Sequence, residues 1–276
     1  MPDISGPLIA VVIAAGAIAG GLGSMLGLGG GVFLVPFLNV GLHFPLKVAS
    51  GVGLMTVVAT SSVVARGTGR SGVVNLRLGM ALQVAAAAGG YFGGSYARRI
   101  PEHVLQLTFA AVTGTIAAIM LSRLERRNVI LDTATDTGTF GGRYYEEECG
   151  QEVVYRARRL PTAFGVSLVA GSISGLLGLG GGILQVPALN AWCGIPLRVA
   201  AATSAVMIGI TAAASAPLYY ARGDIVQPLA AAAVLGTFLG SRAGLWCGAR
   251  TRVKWLKVLM AAILLGVSVM YLVKAS

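Results

Sequence analysis

The sequence predicts an all-α integral membrane protein of two related halves with a small β-hairpin between them, and three observations carry that prediction. The 276-residue chain is 55% hydrophobic and only 11% charged, with a mean hydropathy of +0.79. Its apolar runs are long enough to cross a bilayer core, which takes about 20 helical residues. Residues 27–39, Gly-Leu-Gly-Gly-Gly-Val-Phe-Leu-Val-Pro-Phe-Leu-Asn, return 151 positions later as residues 178–190, Gly-Leu-Gly-Gly-Gly-Ile-Leu-Gln-Val-Pro-Ala-Leu-Asn. Both copies lie inside apolar stretches, where a glycine cluster and a proline break a spanning helix. A duplicated break points to a transporter built from two related halves.

The elements follow from where charge is missing. No charged side chain occurs from Ile4 to Leu46 or from Leu160 to Leu197, stretches of 43 and 38 residues that contain the two motifs. Each is too long for one straight span and short for two. Each is therefore expected to be a pair of half-helices, hinged at the glycines, that enters and leaves on one side. Ordinary spans are expected at about 48–65, 78–97 and 104–122, and again at about 199–221, 225–246 and 256–273. The two transmembrane repeats are then residues 1–122 and 161–276, joined by a linker at 123–160. The opening Met-Pro-Asp-Ile-Ser lacks the basic region of a cleavable signal, so the first apolar run is expected to stay in the protein.

Within the linker, seven basic and seven acidic residues cancel, so the net charge of +11 comes from the apolar halves. Such a basic balance fits cytoplasmic loops against anionic lipid, and nucleic acid is not an expected partner for so apolar a chain. If each broken segment crosses once, basic residues divide 12 to 8 between the two sides, with Arg242 set aside as embedded. If each is a re-entrant hairpin, they divide 15 to 5 and the linker lies on the basic, cytoplasmic side. The sharper asymmetry favours the re-entrant form, which with three full spans per half also makes the repeats inverted. In the linker, strand-like runs at 142–147 and 152–156 flank residues 148–151, a β-hairpin signal.

The chemistry expected at the breaks is anion binding. A broken helix leaves unpaired N–H groups at the start of its second limb, here Gly29, Gly30 and Gly31 and again Gly180, Gly181 and Gly182. They carry the positive end of the helix dipole, and glycine lets a ligand approach without a Cβ in the way. Pro36 and Pro187 free the carbonyls of Val32 and Ile183, which either serve a coupling cation or simply accompany a bend. Asn39 and Asn190 act as helix C-caps or as amide donors to substrate. Gln185, Thr203 and Ser204 are further candidate donors, and Arg242 is either an anion-attracting charge or a side chain snorkelling to the interface. Repeated glycines at 236, 240, 244 and 248, and at 89, 90, 93 and 94, read as helix-packing seams.

Several classes find no support. No Asp or Glu lies within an apolar segment, so a carboxylate proton relay is missing and an anion meets no fixed repulsion. Cys149, Cys193 and Cys247 form no CxxC pair, and His43 and His103 stand apart, so no metal, cofactor or disulfide framework is indicated. No Walker loop, HExxH or GxSxG motif is present, and no catalytic residue is expected.

The paired GLGGG motifs followed by Val-Pro-x-Leu-Asn resemble the TauE/SafE family of sulfite exporters. So do Ala-Ala-Thr-Ser at 201–204, Tyr-Ala-Arg-Gly-Asp-Ile at 220–225 and the Tyr-Tyr-Glu insert. The resemblance spans nearly the whole chain. It implies a carrier of the bacterial or archaeal inner membrane for sulfite or a small organosulfur anion such as a sulfonate. The first half departs from the pattern, with Val52 and Gly53 where Thr203 and Ser204 stand in the second. The expected function is secondary transport by alternating access, with a coupling proton or cation left open and an oligomer not excluded. The alternatives are a passive anion channel and a thiol-based sulfur carrier using Cys193 or Cys247.

Overall fold

The structure, a computed structural model, describes residues 6–68, 73–122, 138–146, 151–157 and 159–275. The first half holds α1 (Gly6–Leu26), α2 (Gly31–Pro36) running into a π-turn (Phe37–Gly41), α3 (Leu46–Thr68), α4 (Leu76–Tyr96) and α5 (Glu102–Ser122). Strands β1 (Gly142–Glu146) and β2 (Gln151–Tyr155) form an antiparallel pair with Gly142 opposite Tyr155 and Glu146 opposite Gln151. The second half holds α6 (Leu160–Leu177), α7 (Gly182–Ala191), α8 (Leu197–Ala221), α9 (Gln227–Arg250) and α10 (Val253–Ala275). Among the described residues seven helices, α1, α3, α5, α6, α8, α9 and α10, are long and apolar enough to cross a membrane. The 21-residue α4 falls outside that set, because Arg77, Gln83 and its glycines make it less apolar.

Small residues decide which helices touch. A Cβ at Gly236, Gly240 or Gly244 would run into the carbonyls of Ile13, Ala17 and Gly21, so α1 lies backbone to backbone on α9. Shifted by 151 positions, Gly89 and Gly93 meet the carbonyls of Leu168 and Ser172, which sets α6 on α4 in the same way. Each half thus lays its first helix on a helix of the other half. Pairs α3 with α8 and α5 with α10 complete the exchange. In the last pair the rings of Phe109 and Tyr271 lie 4.5 Å apart.

The contacts also fix chain direction. α1 and α3 run in the same sense as α9, since Gly16 meets Ala233 and Gly20 meets Thr237, while Gly51 meets Asp224 and Gly67 meets Leu245. α2 runs against α3, with Gly31 beside Val57 and Val35 beside Gly53. The first broken segment therefore doubles back at its glycines. α8 runs opposite to α3, because the end of α3 (Val64, Gly67) and the start of α8 (Leu197, Ala201) line one cavity.

The limbs of the broken segments are unequal, which differs from the expected pair of half-helices. α1 has 21 residues and α6 has 18, whereas α7 has only 10. Glycines at 16, 20 and 21 lie where α1 packs on α9 and Gly23 lies against the break, all inside one continuous helix, so only the cluster from Gly27 onward breaks it. Proline and glycine then end the elements where local chemistry requires. Pro161 and Pro228 open α6 and α9, and Gly178 closes α6 in the left-handed region at φ 72°.

The hairpin is packed into the bundle. Tyr144, Val153, Val154 and Tyr155 are buried. Asn75 ties it to the membrane helices: its Nδ2 donates to Phe140 O (2.8 Å) and to the Tyr155 hydroxyl (3.0 Å), while its Oδ1 caps α4 by accepting from Leu78 N (3.0 Å). Burial holds the Tyr155 phenol above its ordinary pKa. Trp192, Trp246 and Trp255 are exposed near helix ends, and the Arg250 guanidinium lies 4.1 Å over the Trp246 ring.

Candidate functional site

The two glycine breaks cross in the buried core, level with the middle of α3 and α8. Gly27, Gly29, Gly178, Gly180 and Gly181 have φ between 69° and 80°, a conformation that L side chains rarely adopt. Space demands glycine as well. A Cβ at Gly27 would run into the backbone of Ala201, and one at Gly178 into that of Ser50, again 151 positions apart. A Cβ at Gly31 would come within 2.8 Å of Gly178 O, and one at Gly182 within 2.6 Å of Gly27 O, so each break rests on the other.

The two breaks do not share one open space. Val57 stands between them, its methyls 3.1 Å from the place of a Gly29 Cβ and 2.5 Å from that of a Gly180 Cβ, and Ile208 adds a methyl 2.9 Å from Gly29.

In the first break the amides expected to be open are partly engaged. The N–H groups of Leu28 and Gly29 donate to Gly23 O at 3.1 and 3.4 Å, because the chain reverses tightly enough to reach the end of α1. Gly30 N donates to Thr60 Oγ1 (3.3 Å); Thr60 in turn donates to Thr56 O (2.9 Å), and Thr56 Oγ1 donates to Gly53 O (2.8 Å). Only Gly31, of the three glycines, keeps an N–H without a partner among the described residues.

The second break is different. Gly178 N donates to Ser174 O (2.8 Å), while the N–H groups of Gly180, Gly181 and Gly182 have no partner among the described residues. Two side chains beside it are also unsatisfied: Ser174 Oγ and Gln185 Nε2 are buried with no hydrogen-bond partner. Ser204 Oγ donates to Gln185 Oε1 (3.2 Å), and the NH2 of the same amide is the free end. Among the described residues, the nearest neighbours of the glycines in both breaks include no Asp, Glu, Lys, Arg or His.

The remaining candidates lie elsewhere. Asn39 Nδ2 and Asn190 Nδ2 donate to Phe44 O and Ile195 O, both at 2.8 Å, closing the same return loop in each half. Thr203 Oγ1 accepts from Asn75 N (3.0 Å) and so faces the hairpin support. Arg242 is exposed on α9. Gly180, Gly181, Gly182, Gln185 and Ser204 are thus brought together, Gly29, Gly30 and Gly31 form the neighbouring break, and Asn39, Asn190, Thr203 and Arg242 stand apart. Thr56, Thr60 and Ser174 are polar neighbours that the sequence alone did not single out, since a serine or threonine bonded to its own helix reads the same.

A cavity of about 490 Å³ opens on the hairpin side, with Leu26 and Ala201 beside Gly27 in its wall and Tyr144, Tyr145, Trp246 and Met260 around it. Cys193 is buried in the loop after α7, where burial raises its thiol pKa, and Cys247 is exposed on α9. No group of three potential metal ligands occurs among the described residues.

A multi-pass apolar bundle whose two halves each carry a broken helix is the architecture of a membrane transporter. The particular family is also clear: the profile of the sulfite exporter TauE/SafE family matches residues 12–271, and the chain belongs to that family. The chain is similar to the probable membrane transporter protein YunE of Bacillus subtilis, with 24% identity over 92% of this chain and 94% of that one. It is similar to a probable membrane transporter protein of Methanocaldococcus jannaschii, with 22% identity over 93% and 92% of the two chains. A third relative, the probable membrane transporter protein YdhB of Bacillus subtilis, is 23% identical over 86% of this chain and 87% of its own. No solved structure matches the chain.

Proposed function

We propose that this protein is a secondary transporter that exports sulfite or a small organosulfonate across a bacterial or archaeal cytoplasmic membrane by alternating access. The carrying observation is the reciprocal crossing of the two breaks, Gly31 on Gly178 O and Gly182 on Gly27 O, in a core with no buried acidic side chain among the described residues. Unpaired N–H groups at such a crossing attract a small anion, and rocking of one half on the other changes which side reaches it. The opposite directions of α3 and α8 support inverted repeats, and the doubling back of α2 supports the re-entrant form. With the hairpin on the cytoplasmic side, the 490 Å³ cavity is the inward entrance. Substrate would be held by the Gly29–Gly31 and Gly180–Gly182 regions with Gln185 and Ser204; the carbonyls freed by Pro36 and Pro187 are the places for a coupling cation.

The test is purified protein in liposomes, given labelled sulfite, methanesulfonate, thiosulfate and sulfate with and without a proton gradient. Saturable flux of sulfite or sulfonate with counterflow is expected, and it should persist in a Cys-free variant and vanish when Gly30 or Gly181 is replaced by leucine. Flux that never saturates and shows no counterflow would instead make the protein a passive channel.

A further inference from the structure

Gly180, Gly181 and Gly182 at the start of the 10-residue α7 present N–H groups that nothing in the described protein accepts. A helix start alone is common. Here two further donors, each nearly inaccessible to solvent, stand beside it without partners. Ser174 is 0% exposed, and its Cβ lies 3.4 Å from the place of a Gly181 Cβ; Gln185 is 2% exposed. Gln185 N donates to Gly181 O (3.2 Å), so the residue stands one turn into the helix. A side chain at that point leans back toward the helix start.

The first half shows what the same place looks like when it is not a site. Gly23 and Leu34 occupy the positions matching Ser174 and Gln185, and the Gly29 and Gly30 amides are satisfied by Gly23 O and Thr60 Oγ1. An unpaired buried donor costs more than an apolar group in its place. Two such donors in one half, where the other half has none, make a place for a polar guest, and the anion of the transporter reading is the guest that donors alone would select.

We propose that the anion is bound at the second break alone, by Ser174 Oγ, Gln185 Nε2 and the α7 amides, and that the ligand is a small oxyanion of the sulfite or sulfonate kind. The inference rests on the transporter reading above and narrows it. Every donor is neutral, so the site compensates charge through hydrogen bonds and not through an ion pair. The first break then supports the crossing, and transport is asymmetric in which half carries substrate.

The experiment is calorimetric titration of purified carrier with sulfite and with methanesulfonate, alongside melting temperatures with and without each anion. Wild type should bind one anion per chain, and Gln185→Leu and Ser174→Ala should each weaken binding roughly tenfold to a hundredfold, the loss of one hydrogen bond to a charged group. Gln185→Leu places leucine where the first half has Leu34, so its anion-free melting temperature should stay close to wild type while the anion-induced shift shrinks. Leu34→Met, the matching change in the first half, should bind as wild type. Wild-type affinity in both Gln185→Leu and Ser174→Ala, or two anions bound per chain, would overturn the inference and leave the transporter reading intact. No binding of either anion by wild type would remove the substrate reading, and the inference with it.

Discussion

Alanine at Gly178 or at Gly27 will leave little folded transporter. The φ angles are 72° and 69°, which an L side chain adopts at a cost of about 1 kcal/mol or more. The new Cβ would also overlap the backbone of Ser50 or Ala201, and backbone cannot rotate aside as a side chain can. Overpacking of this kind costs about 1–3 kcal/mol even where the surroundings give way. Together the two terms amount to about 2–4 kcal/mol or more, a large share of an ordinary domain's stability. Gly30→Ala is the internal comparison: its φ is −65° and its neighbours are the Thr60, Thr237 and Thr56 side chains at 3.3–3.5 Å. Size-exclusion profiles and melting temperatures in detergent should show Gly30→Ala folded and close to wild type, and Gly178→Ala and Gly27→Ala aggregated or strongly destabilised.

The second large effect belongs to the helix seams. Valine at Gly240 or Gly89 would force α9 from α1, or α4 from α6, because the contacts there are with the carbonyls of Ala17 and Leu168. Without a hydrophobic driving force between helices in lipid, close backbone packing carries the association, so both variants should lose several kcal/mol. The seams correspond at a shift of 151, so the two losses should be similar. Gly165 and Gly266 have nothing within 4 Å of a Cβ, and alanine there should be neutral or stabilising by about 0.5–1 kcal/mol. Thermal melts of the four variants under one condition check the whole pattern. Equal tolerance at Gly240 and Gly165 would mean that the seam does not hold the halves together.

The repeat at 27–39 and 178–190 locates both breaks in the sequence, because three adjacent glycines followed by a proline are more than a packing seam needs. Missing charge bounds the spans equally well: 48–65 and 199–221 fall inside α3 and α8. The hairpin at 142–147 and 152–156 differs from β1 and β2 by about a residue, its turn at 147–150 lying outside the described residues. Limb lengths were hidden, because Gly16 and Gly20 look like breakers until α9 is seen packed on them, and Gly23 until the break is seen folded against it. The site was only half visible. Its glycines announce themselves, but whether the amide of Gly30 is open depends on Thr60, 30 residues away on another helix. Ser174 carries no signal beyond being the residue that replaces Gly23.

The most direct measurement uses selenite, the selenium counterpart of sulfite, as an anomalous scatterer bound to the crystallised carrier. The account predicts one anomalous peak within hydrogen-bonding distance of Gly181, Ser174 and Gln185, absent in Gln185→Leu. A peak confined to surface arginines, or one that survives unchanged in that variant, would contradict it.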